Sequence, residues 1–349
     1  MAKGYSSYRG RKAKWKIALA GLLVLIILAA VGFMLLQRFI VYDDMGVPSL
    51  LLPGKESGQP QDPVPGELDV TIEEPEPEQE EVQQLQIVQL GKDPALWEGE
   101  LATANQQAFC VTMKAGGGQL QYVFSTGAAG QVRSNTAAAA VDVLPRLLNG
   151  EKYSIARLSC LWDGSVARAN VETMGLKNTG GFLFYDGNNT NWLDPAKEAT
   201  RTYLSALAVE CAELGFDEIL LTDLSYPTKG KLDKIAYGDP GFAAQYDWNA
   251  EQMTGLVSAI RDALGDRPVK LSVEVPASVL ENGGVDTVAG IDLQSLMPVD
   301  CIYLPMDAAH AETAQEILSE LSADLDNVRM IPEVERVPVG DVSYLLVTP

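Results

Sequence analysis

The sequence has a single histidine, His310, four cysteines and only 7% aromatic residues in 349. One histidine excludes a histidine-rich metal centre, and it leaves no Ser-His-Asp triad that does not run through His310. Cys110, Cys160, Cys211 and Cys301 show no metal-ligand spacing, so buried free thiols are expected. Cys110 and Cys160 fall on neighbouring predicted strands, but side-chain alternation sends them to opposite faces. Basic residues are also scarce, with 26 Lys+Arg against 47 Asp+Glu and a formal net charge of -21. Nucleic acid is thereby excluded as the main partner, because phosphate binding requires clustered Lys and Arg. Gly116-Gly117-Gly118 lacks the Lys-Ser/Thr of a phosphate loop and reads as a flexible turn. No cofactor and no metal site is called for, although a cation at a barrel mouth stays open.

What charge there is divides sharply. Residues 1–42 hold seven basic side chains and no acidic one, whereas residues 43–349 hold 19 basic and 47 acidic, a net -28. Within the first stretch, Ile17 to Leu36 is a run of twenty uncharged, mostly apolar residues. A helix of that length spans roughly 30 Å, the thickness of a bilayer's hydrocarbon core. The sequence thus predicts a transmembrane helix over residues 17–40, in contact with the lipid bilayer. The basic tail 1–16 stays in the cytoplasm by the positive-inside rule, and the rest is extracytoplasmic in a single-pass cell-membrane protein. A cleaved signal peptide using Ala30 and Gly32 is the competing reading, but Phe33, Met34, Leu35 and Leu36 prolong the apolar run past that site. Residues 41–85 hold seven of the 19 prolines and the acidic run Glu73, Glu74, Glu76, Glu78, Glu80, Glu81. Such a segment cannot bury enough apolar surface to offset its ordering entropy, and it reads as a disordered, extended linker.

Residues 86–349 number 264, close to the ~250 of a (β/α)8 TIM-like barrel. Eight β-rich runs recur there: Ile87 to Leu90, Ala108 to Lys114, Tyr153 to Leu161, Glu218 to Leu224, Val269 to Val275, Cys301 to Met306, Val328 to Val334 and Ser343 to Val347. Helical periodicity lies between most of them, at about 93–106, 136–148, 195–215, 250–264, 287–296 and 311–324. In the third of these, Asp194 is the expected N-cap, Pro195 the first helical residue and Gly215 the stop. The alternation predicts an α/β fold with a parallel sheet, whose seventh connection, 335–341, is too short for a helix. Long insertions follow the second strand (116–134) and the third (162–193). The latter, with Phe182 to Tyr185, a turn at Asp186-Gly187-Asn188 and Asn191 to Leu193, reads as a hairpin. Both insertions fall at the C-terminal ends of strands, where such barrels build active sites.

Several words of the sequence are similar to a known family: Tyr153-Ser154-Ile155-Ala156-Arg157-Leu158, Asn191-Trp192-Leu193-Asp194-Pro195, Glu213 to Ile219 ending at Tyr226-Pro227, Leu271 to Val275, and Ile302 to Met306. Together they resemble a glycoside hydrolase domain of uncharacterised bacterial proteins, itself like the α-amylase type of barrel. The resemblance spans roughly residues 86–349. It implies a polysaccharide or cell-envelope glycan as partner, and carboxylate chemistry near the ends of the fourth and fifth strands. The family's usual acids fall at Thr112 and Thr222, which carry no carboxyl group, and its usual arginine before Tyr226-Pro227 is Ser225 here.

Glycoside hydrolysis usually needs two carboxyl groups. Alternation along the fifth strand turns Ser272 and Glu274 into the barrel, which makes Glu274 the candidate acid. Asp223 points the other way unless the strand ends or bulges there, and Asp163, just after the third strand, is a further candidate. Arg157 can hold a sugar hydroxyl or orient Glu274. Thr112, Thr222, Trp162, Trp192, Tyr303 and His310 complete the candidate substrate-binding set, the tryptophans by stacking on sugar rings. Two function classes follow: a membrane-anchored hydrolase, or a catalytically inactive barrel that binds glycan or scaffolds the envelope.

Overall fold

The computed structural model describes residues 40–42, 48–50, 84–238, 245–296, 299–321 and 328–347. The chain divides into two units, Met1–Glu78 and Gln79–Pro349. In the first, Ile40–Tyr42 pairs antiparallel with Pro48–Leu50. The rest of the predicted transmembrane helix, and all of the linker but those residues and 84–85, lie outside the described residues. Among the described residues no helix is long and apolar enough to cross a membrane.

The second unit is a closed barrel of eight parallel strands: β1 (Gln86–Gln89), β2 (Ala108–Ala115), β3 (Tyr153–Ser159), β4 (Glu218–Thr222), β5 (Lys270–Glu274), β6 (Cys301–Pro305), β7 (Arg329–Val334) and β8 (Tyr344–Leu346). Each pairs with the next, and β8 closes on β1. Among the described residues, five helices of eight residues or more connect them: α1 (Pro94–Thr103), α2 (Ala137–Leu148), α3 (Glu198–Leu214), α4 (Gln245–Leu264) and α5 (Ala314–Leu321). The strands are short and mostly buried, with apolar residues on both faces, because one face is covered by helices and the other by the barrel's own filling. Ile87, Ala108, Cys110, Ile155, Leu220, Cys301, Tyr303, Ile331 and Leu345 form that filling, and a larger apolar cluster lies between sheet and helices.

Several helix expectations need correction. The fourth predicted helix begins at Gln245 rather than at residue 250. The third predicted helix starts at Glu198 rather than Pro195, with Lys197 at the N-cap position. Asp194 instead accepts from Ala196 N at 3.0 Å, and Arg201 Nε donates to Pro195 O, so residues 194–197 are held as a turn. The segment 287–296 is not helical. Asp286 accepts from Val288 N and Ala289 N, Gly290 has φ 74°, and a small antiparallel ladder pairs Val285–Asp286 with Ile291–Asp292. Aspartate side chains that satisfy nearby N–H groups offer the backbone an alternative to helix, and here they prevail over apolar spacing. Finally, α5 begins at Ala314 after a 3-10 turn, Ala308–Thr313.

All four cysteines are free and buried, and burial pushes the Cys110, Cys160 and Cys301 thiols up to about 12. Cys110 belongs to the barrel filling and Cys160 to the outer cluster, on opposite sides of the sheet.

Candidate functional site

Toward the C-terminal ends of the strands the inward faces carry polar side chains, in five of six cases two residues beyond the apolar filling. Gln89 follows Ile87, Thr112 follows Cys110, Arg157 follows Ile155, Thr222 follows Leu220, Glu274 follows Ser272 and Glu333 follows Ile331. The strand period of two delivers all six to one level at the C-terminal mouth. They converge on Arg157. Its Nη1 donates to Gln89 Oε1 at 3.1 Å and to Glu333 Oε1 at 2.9 Å, while Nη2 is paired with Glu274. Gln89 Nε2 in turn donates to Thr112 Oγ1 at 2.8 Å.

This cluster shapes the titration of Glu274. Burial disfavours its charged form most strongly. Arg157 opposes that effect, but the charge of Glu333, a side-chain hydrogen bond with Glu333 and the charge of Asp223 reinforce it, leaving the carboxyl at about 8. Burial acts against the charge of Arg157 as well, yet Glu274 and Glu333 hold it above its ordinary value.

Asp223 lies just past the end of β4 with φ 50°, a left-handed conformation uncommon for a residue other than glycine. Its Oδ2 accepts from Ser159 Oγ at 2.6 Å. Ser159 is on the inward face of β3, two residues beyond Arg157, so the backbone twist brings Asp223 to the mouth that strict alternation would deny it. Trp162 stacks on Trp192 beside it, ring centroids 6.4 Å apart at 22°. Gly116 permits this packing: a Cβ there would stand 2.4 Å from the Trp162 ring and 3.4 Å from Asp223 Oδ2. The insertion carrying Trp192 is a three-segment arrangement rather than the predicted simple hairpin. Residues 175–178 run between the other two segments, with Leu176 N donating to Trp192 O and Phe184 N to Leu176 O.

A groove of about 700 Å³ opens at this level, lined by Gln89, Lys92, Trp97, Thr112, Arg157 and Glu333. A second cavity of about 320 Å³, bordered by Asp307, Glu335 and Arg336, shares Glu333 and Val347 with it. A cavity of about 550 Å³ on the outside of α3, beside Arg201 and Glu210, contains none of the mouth residues.

The mouth therefore gathers Glu274, Arg157, Thr112, Thr222, Asp223, Trp162 and Trp192, and three candidates fall elsewhere. Asp163 is fully buried, paired with the equally buried Lys114 at 3.2 Å, and its Oδ1 caps the short helix Gly164–Ala169 through Val166 N. That environment makes it structural rather than catalytic. Tyr303 is inward-facing but lies below the mouth, its hydroxyl donating to the buried Glu218 at 2.8 Å, so it cannot meet a substrate. His310 is exposed on the 3-10 turn and lines neither mouth cavity; the cap of that turn is Asp307. The residues that sequence reasoning missed are Gln89 and Glu333. The alternation that singled out Glu274 applies equally to Arg329–Val334, where Ile331 and Glu333 share the inward face.

Among the described residues no cluster of His, Cys, Asp and Glu suited to a metal ion occurs. No curated protein matches the sequence significantly. Among solved structures, the glycoside hydrolase domain of PgaB (BpsB) from Bordetella bronchiseptica is similar at 14% identity, over 76% of this chain and 94% of that one, with a TM-score of 0.51. That likeness supports the barrel fold. A hypothetical protein from Ruminiclostridium thermocellum shares 22% identity over 52% of this chain and 89% of its own, with a TM-score of 0.43. The glycoside hydrolase domain of PelA from Pseudomonas aeruginosa, in its E218A variant, shares 11% over 72% and 83%, at 0.38. The family model described as "Putative glycosyl hydrolase domain" matches residues 99–306, well over half of the sequence, and the chain belongs to that family.

Proposed function

We propose that the barrel mouth hydrolyses a neutral polysaccharide, with Glu274 as the acid that protonates the leaving oxygen and Asp223 as the second carboxylate. The observation that carries this reading is the left-handed backbone at Asp223, which directs its carboxylate into the mouth. Strained backbone of that kind concentrates at functional sites, because the surrounding structure must over-determine it. A carboxyl held at about 8 is protonated at neutral pH, as a general acid must be. Gln89, Arg157 and Thr112 offer hydrogen bonds to sugar hydroxyls, and Trp162 and Trp192 an aromatic wall. In the same proposal residues 17–40 anchor the chain in the cell membrane, with the N-terminus cytoplasmic and the barrel extracytoplasmic on the 41–85 linker.

A second reading, a barrel that binds glycan without cleaving it, is favoured by one feature. Thr112 within β2 and Thr222 at the end of β4 occupy inward positions and supply no carboxyl group, while Arg157 already engages Glu274.

The deciding experiment incubates the full-length chain with a panel of neutral polysaccharides and measures released reducing ends. Release that is abolished by Glu274→Gln and reduced at least 100-fold by Asp223→Asn, on the order of a catalytic carboxylate's contribution, supports hydrolysis. Saturable binding with no release from any member establishes the second reading. Release of the full-length chain from membranes by alkaline carbonate would remove the anchor from the proposal.

A further inference from the structure

The mouth contains a carboxylate that the proposed hydrolysis leaves without a role. Glu333 is 9% exposed and lies at the junction of the two mouth cavities. One of its oxygens, Oε1, accepts from Arg157 at 2.9 Å. The other, Oε2, is buried and meets no nitrogen or hydroxyl donor. An orphaned buried carboxylate oxygen carries a desolvation cost of a few kcal/mol, which a hydrogen-bond donor beside it would offset.

The groups around it leave few choices. β3 brings Arg157, which is committed to Oε1, to Gln89 and to Glu274. β5 brings Glu274, which shares the Arg157 guanidinium with Glu333, one carboxylate on each terminal nitrogen. The end of β4 brings Asp223, engaged with Ser159, and β2 brings the Cys110 thiol from beneath. β6 places Tyr303 in register with Glu274, but its hydroxyl is spent on Glu218. Lys92 and Glu100 border one of the cavities that meet at Glu333, and Asp307, Glu335 and Arg336 the other, but none of them bonds to Oε2. Among the groups held at the mouth level, a protonated Glu274 carboxyl is the donor left over.

We infer that Glu333 is a positioning residue that shares a proton with Glu274, accepting a hydrogen bond from the Glu274 carboxyl while both are clasped by the Arg157 guanidinium. The proton resides on Glu274 and the negative charge on Glu333, so the triad carries no net charge: one cation, one anion and one neutral acid. Two carboxyl groups held on the adjacent nitrogens of one guanidinium leave no space for a glycosidic bond between them, since hydrolytic pairs stand ~5 Å or more apart. Glu333 therefore acts through Glu274 and is not the second hydrolytic carboxylate. The charge of Glu333 works in the same sense as burial to keep the acid protonated. This inference deepens the acid role proposed for Glu274, yet it concerns the resting protein and needs no substrate to test.

The experiment is a pH titration of the full-length chain followed by infrared difference spectroscopy of the carboxylic-acid carbonyl band. Wild type should show a carboxyl that remains protonated at neutral pH, and Glu274→Gln should remove that band. Glu333→Gln keeps the shape and removes the charge. It should move the midpoint of the band down by at least one pH unit, a tenfold or greater rise in the acid dissociation constant. A merely structural role for Glu333 would leave the midpoint in place. Glu333→Met is the companion variant should the Gln variant fail to fold, and it carries the same expectation. A midpoint unchanged in either folded variant, or no protonated carboxyl attributable to Glu274, overturns the inference. Failure to cleave any polysaccharide would not affect it, so the two proposals fail separately.

Discussion

Individual side chains in this barrel divide into those that hold the mouth and those that hold the fold, and two of them separate the cases. Glu274 takes up its proton more readily folded than unfolded, with a folded value of about 8 against the ordinary 4.5. Between those values the native state binds more protons than the unfolded chain, so stability is fully present below about 4.5 and falls as pH rises toward 8. The buried Glu218, also raised by burial, adds to the same slope. Glu274→Gln, which cannot ionise, should flatten part of the decline, on the order of a few kcal/mol between the two limits, in urea melts at a series of pH values. A slope identical to wild type would show that Glu274 is not held neutral. Asp163 behaves differently. Replacing it with Asn leaves Lys114 as an uncompensated cation that is 0% exposed, and breaking a buried pair costs about 3–5 kcal/mol. Lys114 Nζ retains Ser159 O at 2.6 Å, which offsets only part of that loss. Asp163→Asn should therefore lower the unfolding free energy strongly. A variant as stable as wild type but inactive would return Asp163 to the catalytic list.

At the scale of elements, the eight strands were legible because doubly covered parallel strands are short β-rich runs, and Cys301–Pro305 or Glu218–Thr222 resembles little else. Glu274 was legible for the same reason, since its neighbours alternate cleanly. Asp223 was legible only as a condition, because no pattern in Leu220 to Leu224 announces a φ of 50°. Segment 287–296 was misread because Ile291, Leu293 and Leu296 imitate a helical stripe while Asp286 and Asp292 close turns. Glu333 is legible only through the same alternation on Arg329–Val334, because the resemblance points to carboxylates on other strands. The 162–193 insertion reads from the sequence as a hairpin, and nothing in the sequence announces its middle segment, 175–178. Its order depends on Asp186, which accepts from Asn188 N, Thr190 N, Thr190 Oγ1 and Trp192 Nε1 at 2.8 to 3.0 Å. Asp186→Ala should cost about 2 kcal/mol or more locally, given roughly 1 kcal/mol per bond and more for a charged acceptor. Amide exchange should accelerate across 175–193, and Trp192 should lose its fixed place beside Trp162, while β1 to β8 keep their protection. Uniform protection in the variant would mean that packing alone, without Asp186, orders the insertion.

At the scale of the whole molecule the scarcity of basic residues becomes a statement about substrate. Residues 86–349 hold 18 Lys+Arg against 35 Asp+Glu, so the barrel's far field repels anionic polymers. Near the mouth the balance is closer. Arg157 is neutralised within its triad, and Lys92 and Arg336 border cavities that also carry Glu100, Asp307 and Glu335. A ligand approaching along these cavities meets a repulsive field at long range and no excess of positive charge at short range. Raising the ionic strength from about 0.01 M to about 1 M shortens the Debye length from ~30 Å to ~3 Å and removes the long-range part. Binding of a neutral glycan should then be nearly independent of salt, because its contacts are hydrogen bonds and aromatic packing. Binding of an acidic polysaccharide of the same linkage should be weak in low salt and strengthen as salt rises. Titration calorimetry or a pull-down across that salt series reads both trends. An acidic polymer that binds most tightly at low salt would reverse the assignment and point to cations, or to Lys92 and Arg336, as the recognising charge.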